Sequence, residues 1–442
     1  MHHAVSRPGD VIGGRYRLIE LAGAGGMAEV WRAELEGIEG FRRTVAVKRI
    51  LKHLSVSKEH RQMFVQEAKL TATLDHPNIV HVYDFGEDNA GLFLVLEWVE
   101  GLTARDLIQL LNEYGQKPSA ALATAIGIEV LKGLEAAHEN SITLEDGTEQ
   151  NAPIIHRDVS PSNVLLSVRG VTKLADFGLA RAMHSSISSM TPAGIVKGKL
   201  AYMAPEILRG KPASGQTDVY STGVLLWELL SCKRLFQGEG EVITALMQNK
   251  RPASIASHRP DLPAALSAAV DRALDPDVET RFKSAGEFAR ALSDVLRTVP
   301  ERTDRARLAK EMRNALVYWK KSAAGQRAAQ ERAIAPATDA IPAPKPVAPA
   351  KPTATPAAKP EEAPGGDASK IFLDLSLSGI PLQGRTTSPP RVEEKRVEEP
   401  SAISLELDLE TAVPLVETLP IDFDASEASV TFELASIKKK AE

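Results

Sequence analysis

The stretch IIHRDVSPSNVLL, residues 154–166, and the tripeptide DFG, residues 176–178, decide the fold class of this 442-residue chain. An H-R-D tripeptide ends at Asp158 and precedes Asn163 with the spacing H-R-D-x-x-x-x-N. The carboxylate of Asp158 can orient an attacking hydroxyl group and accept its proton, while the Asn163 amide oxygen and the Asp176 carboxylate can hold Mg²⁺ on phosphate groups. Each tripeptide alone also fits a polar turn, but their common order and register indicate metal-assisted phosphoryl transfer.

A glycine-rich stretch, GAGGMAEV at residues 23–30, lies upstream between two strand patterns. Its position between two strands argues against a dinucleotide-binding fold, in which such a loop joins a strand to a helix. Glycines let backbone N–H groups approach triphosphate oxygens, and Val30 can cover a planar base. Lys48 follows on the next strand pattern. The helix pattern after it runs from His60 to Leu74, and Glu67 on that helix could pair with Lys48. Each of these features is common without any function, so they gain meaning only beside residues 154–166.

In this order the motifs resemble those of the eukaryotic-like (Hanks-type) bacterial serine/threonine protein kinases, from about Tyr16 to Arg297. The resemblance implies a bilobal α+β protein-kinase fold, with a small antiparallel sheet and one main helix in the N-terminal lobe and a mainly helical C-terminal lobe. The order of strand patterns first and helical patterns afterwards independently favours segregated α+β layers. The resemblance further implies ATP and Mg²⁺ as cofactors, protein serine or threonine hydroxyls as acceptors, and a role in signalling.

The resemblance assigns roles to individual residues. The catalytic set consists of Asp158 as the base with Lys48, Glu67 and Asn163, and the metal ligands are Asn163 and Asp176. The predicted nucleotide-binding residues are Ala22, Gly23, Ala24, Gly25, Gly26, Met27, Ala28, Glu29, Val30, Ala46, Lys48, Glu97 and Val99. Scaffold roles follow for Glu206, which would pair with Arg281, and for Asp218, which would brace the catalytic loop.

Three departures from the family pattern bear on activity. Ala28 replaces the third loop glycine, Ser160 replaces the lysine that follows the catalytic aspartate by two residues in serine/threonine kinases, and Lys199 stands where a threonine is usual. We hypothesise that the ammonium group of Lys199 replaces the cation lost at Ser160. The alternatives to an active enzyme are a nucleotide-binding pseudokinase and an adaptor with weak catalysis.

The resemblance also implies regulation, because in similar kinases the arginine at the position of Arg157 binds a phosphate group of the activation segment through a charge-assisted fork. The candidate acceptors in that segment are Ser185, Ser186, Ser188, Ser189 and Thr191.

Changes in composition predict the remaining organisation. Residues 1–14 form an N-terminal extension and residues 15–297 the kinase domain, with an N-terminal lobe at 15–99 and a C-terminal lobe at 100–297. Residues 298–334 contain apolar residues at helical spacing, which predicts an amphipathic helical extension. The Ala/Pro/Lys-rich residues 335–366 predict a disordered linker. The acidic residues 367–442 predict a largely disordered tail whose alternating segments could add strands to a protein partner, or have no role.

Composition excludes several classes of protein. The chain has 43% hydrophobic residues, 25% charged residues and a net charge of −5, which does not favour a nucleic-acid or membrane-surface partner. A single cysteine, Cys232, excludes a disulfide framework and indicates a reducing compartment. The N-terminus lacks a secretory signal pattern, and no apolar stretch is long enough for a transmembrane anchor. We therefore expect a cytoplasmic location.

Overall fold

The computed structural model describes residues 6–25, 28–51, 57–143, 148–177, 200–236, 238, 250–301 and 303–334. Several predictions concern residues outside these ranges. They are the nucleotide-binding roles of Gly26 and Met27, the role of Lys199, the five activation-segment acceptors, and the nature of residues 335–442.

The N-terminal lobe is built on a six-stranded antiparallel sheet with the order β1-β2-β3-β4-β6-β5. The strands are β1 (Val11–Ile12), β2 (Tyr16–Ala24), β3 (Ala28–Glu36), β4 (Arg42–Ile50), β5 (Val82–Asp88) and β6 (Gly91–Glu97). Helix α1 (Lys58–Ala72) lies between β4 and β5 in the chain and packs against β5 and β6. The side chain of Ser57 caps this helix by accepting a hydrogen bond from the amide of His60.

The C-terminal lobe is mainly helical. The α-helices in the described part of this lobe up to residue 298 are α2 (Ala104–Glu113), α3 (Ala120–His138), α4 (Pro205–Leu208), α5 (Gly215–Ser231), α6 (Ala264–Ala273) and α7 (Ala285–Thr298). Its short strands are β7 (Gly101–Thr103), β8 (Ser141–Thr143), β9 (Glu149–Asn151), β10 (Val164–Ser167) and β11 (Thr172–Leu174). Strands β11, β10 and β7 form a small sheet that carries the predicted catalytic segments at its ends.

Helices α3 and α5 form the centre of the C-terminal lobe. Both are apolar on nearly every face, which is typical of helices that cross a core and not its surface. Close packing of the two helices depends on Gly127, because a Cβ atom there would lie 2.7 Å from a methyl group of Leu226. The α+β arrangement agrees with the sequence prediction, and in the described residues no helix combines the length and apolarity needed to cross a membrane.

Two further helices follow α7. The sequence predicts helical structure over residues 298–334, and the structure divides it into α8 (Arg305–Lys321) and α9 (Ala323–Ile334). The backbone changes direction at Ser322, whose conformation is extended. Leu308, Met312 and Trp319 of α8 are buried in the core of the C-terminal lobe, so α8 is part of that lobe's packing.

Glu311 is a buried acid on α8. The residue is only 7% exposed, and its Oε2 atom has no hydrogen-bond partner among the described residues. Burial raises the pKa of Glu311 above its ordinary value, although Arg307 and Lys310 act in the opposite direction. The folded protein therefore holds this proton more tightly than the unfolded chain does, so the Glu311 contribution to stability falls as pH rises through the ordinary glutamate range.

We expect Glu311→Gln to be more stable than the wild type at pH 8, with a difference that shrinks towards pH 4, where both side chains are neutral. Urea unfolding at the two pH values measures this difference. Glu331→Gln, at an exposed position on α9, is the matched control. A stability difference that did not change with pH would contradict the prediction.

Candidate active site

The loop that carries Asp158 is held by a buried aspartate on helix α5. Oδ2 and Oδ1 of Asp218 accept hydrogen bonds from the backbone amides of His156 and Arg157, both at 2.8 Å. Asp218 is fully buried, and its Oδ2 atom also lies 2.8 Å from Nε2 of His138. Arg157 has a φ angle of 65°, a conformation that non-glycine residues adopt only when their surroundings enforce it. The Asp218 bracket supplies that enforcement and fixes the loop.

Asn163 orients the carboxylate of Asp158. Its Nδ2 atom donates to the carbonyl oxygen of Asp158 at 2.8 Å and to Oδ2 of the same residue at 2.9 Å. Both residues are more than nine-tenths buried. The Asp158 side chain therefore has one defined orientation, and since the Asn163 nitrogen is committed to it, the Asn163 oxygen is the atom that can bind a metal.

His156 connects the catalytic loop to the DFG segment. Its Nε2 atom lies 3.0 Å from the carbonyl oxygen of Ala175, and its Nδ1 atom accepts from the amide of Asp158 at 3.2 Å. Because a carbonyl oxygen only accepts, the proton of this ring lies on Nε2. The ring also packs on Phe177, with centroids 4.4 Å apart. These contacts place Asp176, between Ala175 and Phe177, at a fixed distance from Asp158.

Lys48 joins the two lobes through a pair of carboxylates. Its Nζ atom lies 2.7 Å from Oε1 of Glu67 on α1 and 2.7 Å from Oδ1 of Asp176. Burial by itself lowers the pKa of Lys48, but the charges of Asp176 and Glu67 outweigh burial and raise that pKa above its ordinary value. The ammonium group thus stays charged at neutral pH, in position to bind phosphate oxygens.

The sheet register groups the predicted nucleotide-binding side chains. Val30 pairs with Lys48 across β3 and β4, and Ala46 lies two residues before Lys48 on β4. Paired residues and alternate residues of an antiparallel sheet share one face, so the three side chains lie on the same face. Between β2 and β3, the amide of Gly25 donates to the carbonyl oxygen of Ala28 at 2.9 Å, and this hydrogen bond closes the turn from β2 into β3.

The remaining predicted residues lie in two places. One is strand β2 with its turn into β3, which we call the roof, and the other is residues 97–99 between the two lobes, which we call the hinge. Ala22, Gly23 and Ala24 end β2, and Ala28 and Glu29 begin β3. At the hinge, the Glu97 side chain pairs with Lys173, at 2.9 Å from Oε2 to Nζ. Among the described residues, neither the amide nor the carbonyl group of Val99 makes a backbone–backbone hydrogen bond.

The donor set fits Mg²⁺. The β10–β11 hairpin pairs Val164 with Leu174, and the amide of Ala175 donates to the carbonyl oxygen of Asn163 at 2.9 Å, so Asn163 and Asp176 are brought side by side. The Asp176 side chain is 33% exposed and faces the cleft. Across the described ranges no group of three or more His, Cys, Asp or Glu residues could hold a metal alone. Two oxygen donors are sufficient when substrate phosphates complete the Mg²⁺ coordination, as is usual for this ion.

The structure gives a partial account of the departures from the family pattern. Ser160 is buried, and its carbonyl oxygen accepts from the amide of Asn163 at 3.0 Å, so its backbone closes the turn of the loop. Whether Lys199 replaces the missing cation stays a hypothesis, since Lys199 lies outside the described residues. One supporting residue escaped sequence reasoning: no local motif marks His138, whose bond to Asp218 is formed only by the packing of α3 on α5.

Comparison with known proteins decides the family. The model of the protein kinase domain matches residues 16–310 of this chain. The chain belongs to the protein kinase domain family. The match confirms the resemblance and the bilobal α+β kinase fold that the sequence predicted. The match ends at residue 310, so it extends beyond α7 into the start of α8.

Two curated relatives and one solved structure illustrate the family. The chain is 37% identical over 287 residues to "Tyrosine-protein kinase MasK" of Myxococcus xanthus, covering 64% of this chain and 43% of MasK. It is 34% identical over 289 residues to "Serine/threonine-protein kinase PknA" of Mycobacterium tuberculosis, covering 65% of this chain and 63% of PknA. The Mycobacterium tuberculosis PknI kinase domain superposes with a TM-score of 0.50 at 26% identity, covering 66% of this chain and 99% of that domain.

The chain thus spans less than two thirds of the length of these relatives. Their names also differ in the acceptor, which is tyrosine for MasK and serine or threonine for PknA. Membership of the family includes the use of ATP, whereas the acceptor and the protein partners are a separate question.

Proposed function

We propose that this kinase transfers the γ-phosphoryl group of ATP to serine or threonine hydroxyls of protein substrates, with Mg²⁺ as the cofactor. The observation that carries the proposal is the junction of the two lobes at one point, where Lys48 contacts both Glu67 and Asp176 at 2.7 Å. A pseudokinase needs only the fold, but this set of charges is the arrangement that phosphoryl transfer requires.

Each residue has a defined part in the proposed reaction. Asp158, oriented by Asn163, accepts the proton of the substrate hydroxyl as its oxygen attacks the γ-phosphorus, and the bond from that phosphorus to the bridging oxygen breaks so that ADP leaves. Lys48, held by Glu67, binds phosphate oxygens and keeps the phosphate chain in line. Mg²⁺, when bound to Asn163 and Asp176, neutralises charge on the phosphates. The fixed positions of these groups supply the orientation on which this type of catalysis depends.

The acceptor follows from weaker support. The name of PknA favours serine or threonine. So does the sequence between Thr191 and Glu206, which lacks the proline-rich segment that resemblance would lead us to expect of a tyrosine kinase. The name of MasK favours tyrosine, and Ser160 removes the lysine typical of serine/threonine kinases. We keep the serine/threonine assignment, and weak catalysis as a pseudokinase or adaptor is the second candidate because of Ser160.

Regulation, location and partners complete the proposal. Phosphorylation of the activation segment would be sensed by Arg157, whose backbone is fixed by Asp218 at 2.8 Å. A signalling role, a cytoplasmic location and a protein partner for residues 335–442 rest on the sequence features that predicted them.

Autophosphorylation with radiolabelled ATP, followed by phosphoamino-acid analysis, tests the function. We expect label on the wild type, mainly as phosphoserine and phosphothreonine, and none on Asp158→Asn. Mainly phosphotyrosine would replace the acceptor assignment and leave the enzyme assignment intact. Labelling of the wild type that is no higher than the labelling of Asp158→Asn would support the assignment as a pseudokinase.

A further inference from the structure

Helices α8 and α9 contact both sides of the nucleotide cleft. On the lower side, α8 lies against the β10–β11 turn. Gly170 in that turn has a φ angle of 73°, and a Cβ atom there would lie 2.1 Å from the carbonyl oxygen of Arg305. Nε of Arg305 donates to the carbonyl oxygen of Arg169 at 3.2 Å, and Nη1 of Arg313 donates to that of Val168 at 3.1 Å. Backbone and side-chain contacts together fix α8 to this turn.

The β10–β11 hairpin is the element that carries the predicted metal ligands. Asn163 immediately precedes β10, and Asp176 follows β11 by two residues. Helix α8 is anchored on the other side by Met312 and Trp319, which are 1% and 6% exposed. Helix α8 is therefore a rigid extension of the floor of the site.

Helix α9 starts on the floor and reaches the roof. Its first two amides, of Ala323 and Ala324, donate to Oε1 and Oε2 of Glu113 at 2.8 and 3.0 Å. Glu113 ends α2, the helix that directly follows the hinge and β7. A carboxylate at a helix N-terminus satisfies its free amides and stabilises its dipole. Beyond this cap, α9 packs against β2 of the N-terminal lobe.

The junction between α8 and α9 is equally constrained. A Cβ atom on Gly325 would lie 1.9 Å from the carbonyl oxygen of Trp319. The amide of Gly325 donates to Oγ of Ser322 at 2.9 Å, and Oγ of Ser322 donates to the carbonyl oxygen of Trp319 at 2.9 Å. A larger residue at Gly325 must separate the two helices, so the angle that directs α9 towards β2 depends on this glycine.

We propose that α8 and α9 form a clasp which holds the β2 roof over the β10–β11 floor, and that Glu113 is the positioning residue that fastens it. Without the clasp, the hinge would allow β2 to move away from the phosphates. Gly23 lies near the end of this strand, and Gly25 lies just after it. By excluding open conformations, the clasp raises the fraction of molecules competent to bind nucleotide, and the apparent affinity rises with that fraction. The clasp rests on the proposed function only in that ATP is the ligand of the cleft.

Two variants of the full chain test the clasp from different contacts. We expect Glu113→Ala to raise the Kd for a fluorescent ATP analogue by about two- to fivefold, where fivefold is the full effect of losing a typical helix cap, and Gly325→Val to raise it further. Controls on the same helix, Glu331→Ala and Ala329→Val at exposed positions, should leave the Kd within about twofold. Glu113→Gln, which keeps one acceptor oxygen, should recover part of the affinity.

Hydrogen exchange of the amides of β2 gives a readout that is independent of ligand. Faster exchange in β2 for both clasp variants, with the controls unchanged, is the expected result. A lower melting temperature with unchanged Kd and unchanged β2 exchange would overturn the clasp and leave a purely structural role. If the wild type bound no ATP analogue, the proposed function would fail, and the β2 exchange would still decide whether the clasp exists.

Discussion

Replacing Asp158 by asparagine should lower kcat by roughly 10²- to 10⁴-fold, the usual contribution of a positioned general base. The amide keeps the shape of the side chain and can still accept the hydrogen bond from Nδ2 of Asn163, which is 2.9 Å long in the wild type. The loss should therefore fall on proton acceptance and not on the loop conformation. Single-turnover phosphorylation of a peptide measures the chemical step. A separate measurement of nucleotide affinity shows whether the loop conformation has changed.

The matched control is Asp75→Asn, because the Asp75 side chain is 94% exposed and lies outside the site. Its kcat should equal that of the wild type. Nucleotide affinity of Asp158→Asn should stay within about threefold, since the phosphate-binding contacts of Lys48 do not involve Asp158. A kcat for Asp158→Asn near the wild-type value would remove Asp158 from the mechanism.

Replacing Arg281 by alanine should destabilise the protein by about 3–5 kcal/mol, the cost of breaking a buried ion pair. Nη1 and Nη2 of Arg281 donate to the two oxygens of Glu206 at 2.9 and 2.8 Å. The two side chains are 0% and 5% exposed, so the variant leaves a carboxylate buried without its cation. Urea unfolding of the full chain, followed by tryptophan fluorescence, measures the loss.

Two further variants show whether the loss of stability comes from breaking a buried ion pair or from the loss of an arginine at any position. Arg297→Ala removes an exposed ion pair with Asp294 and should change stability by less than about 1 kcal/mol. The double variant Glu206→Leu/Arg281→Met, which leaves no unpaired charge, should recover much of the stability lost in Arg281→Ala. Equal effects of Arg281→Ala and Arg297→Ala would show that burial of the pair is unimportant.

Sequence periodicity predicted the kind of each main element better than its ends. The helix expected from His60 to Leu74 is α1, from Lys58 to Ala72, and it begins two residues earlier than expected because the side chain of Ser57 caps it. The continuous helical pattern after residue 298 failed to reveal the break at Ser322. That break depends on Glu113, which lies 210 residues from the amide it binds.

The grouping of the site residues was likewise predicted only in part. The H-R-D-x-x-x-x-N spacing fixes Asp158 and Asn163 within one loop, where a short chain limits their separation. The pairing of Lys48 with Asp176 joins residues 128 positions apart and depends on how the two lobes meet. Within the protein kinase domain family such a pairing can be expected by resemblance, but no local pattern in this chain states its distance.

By itself, the sequence determined which chemical groups are present, the α+β order of the elements and, through the motif at residues 154–166, the family. These properties are local or nearly so, since they depend on residue type and short spacing. Only the tertiary structure decided that His138 contacts Asp218 behind the catalytic loop, that Lys48 contacts Asp176 as well as Glu67, and that α9 reaches β2. Those contacts join distant segments through the packing of a shared core, and packing depends on the whole set of side chains.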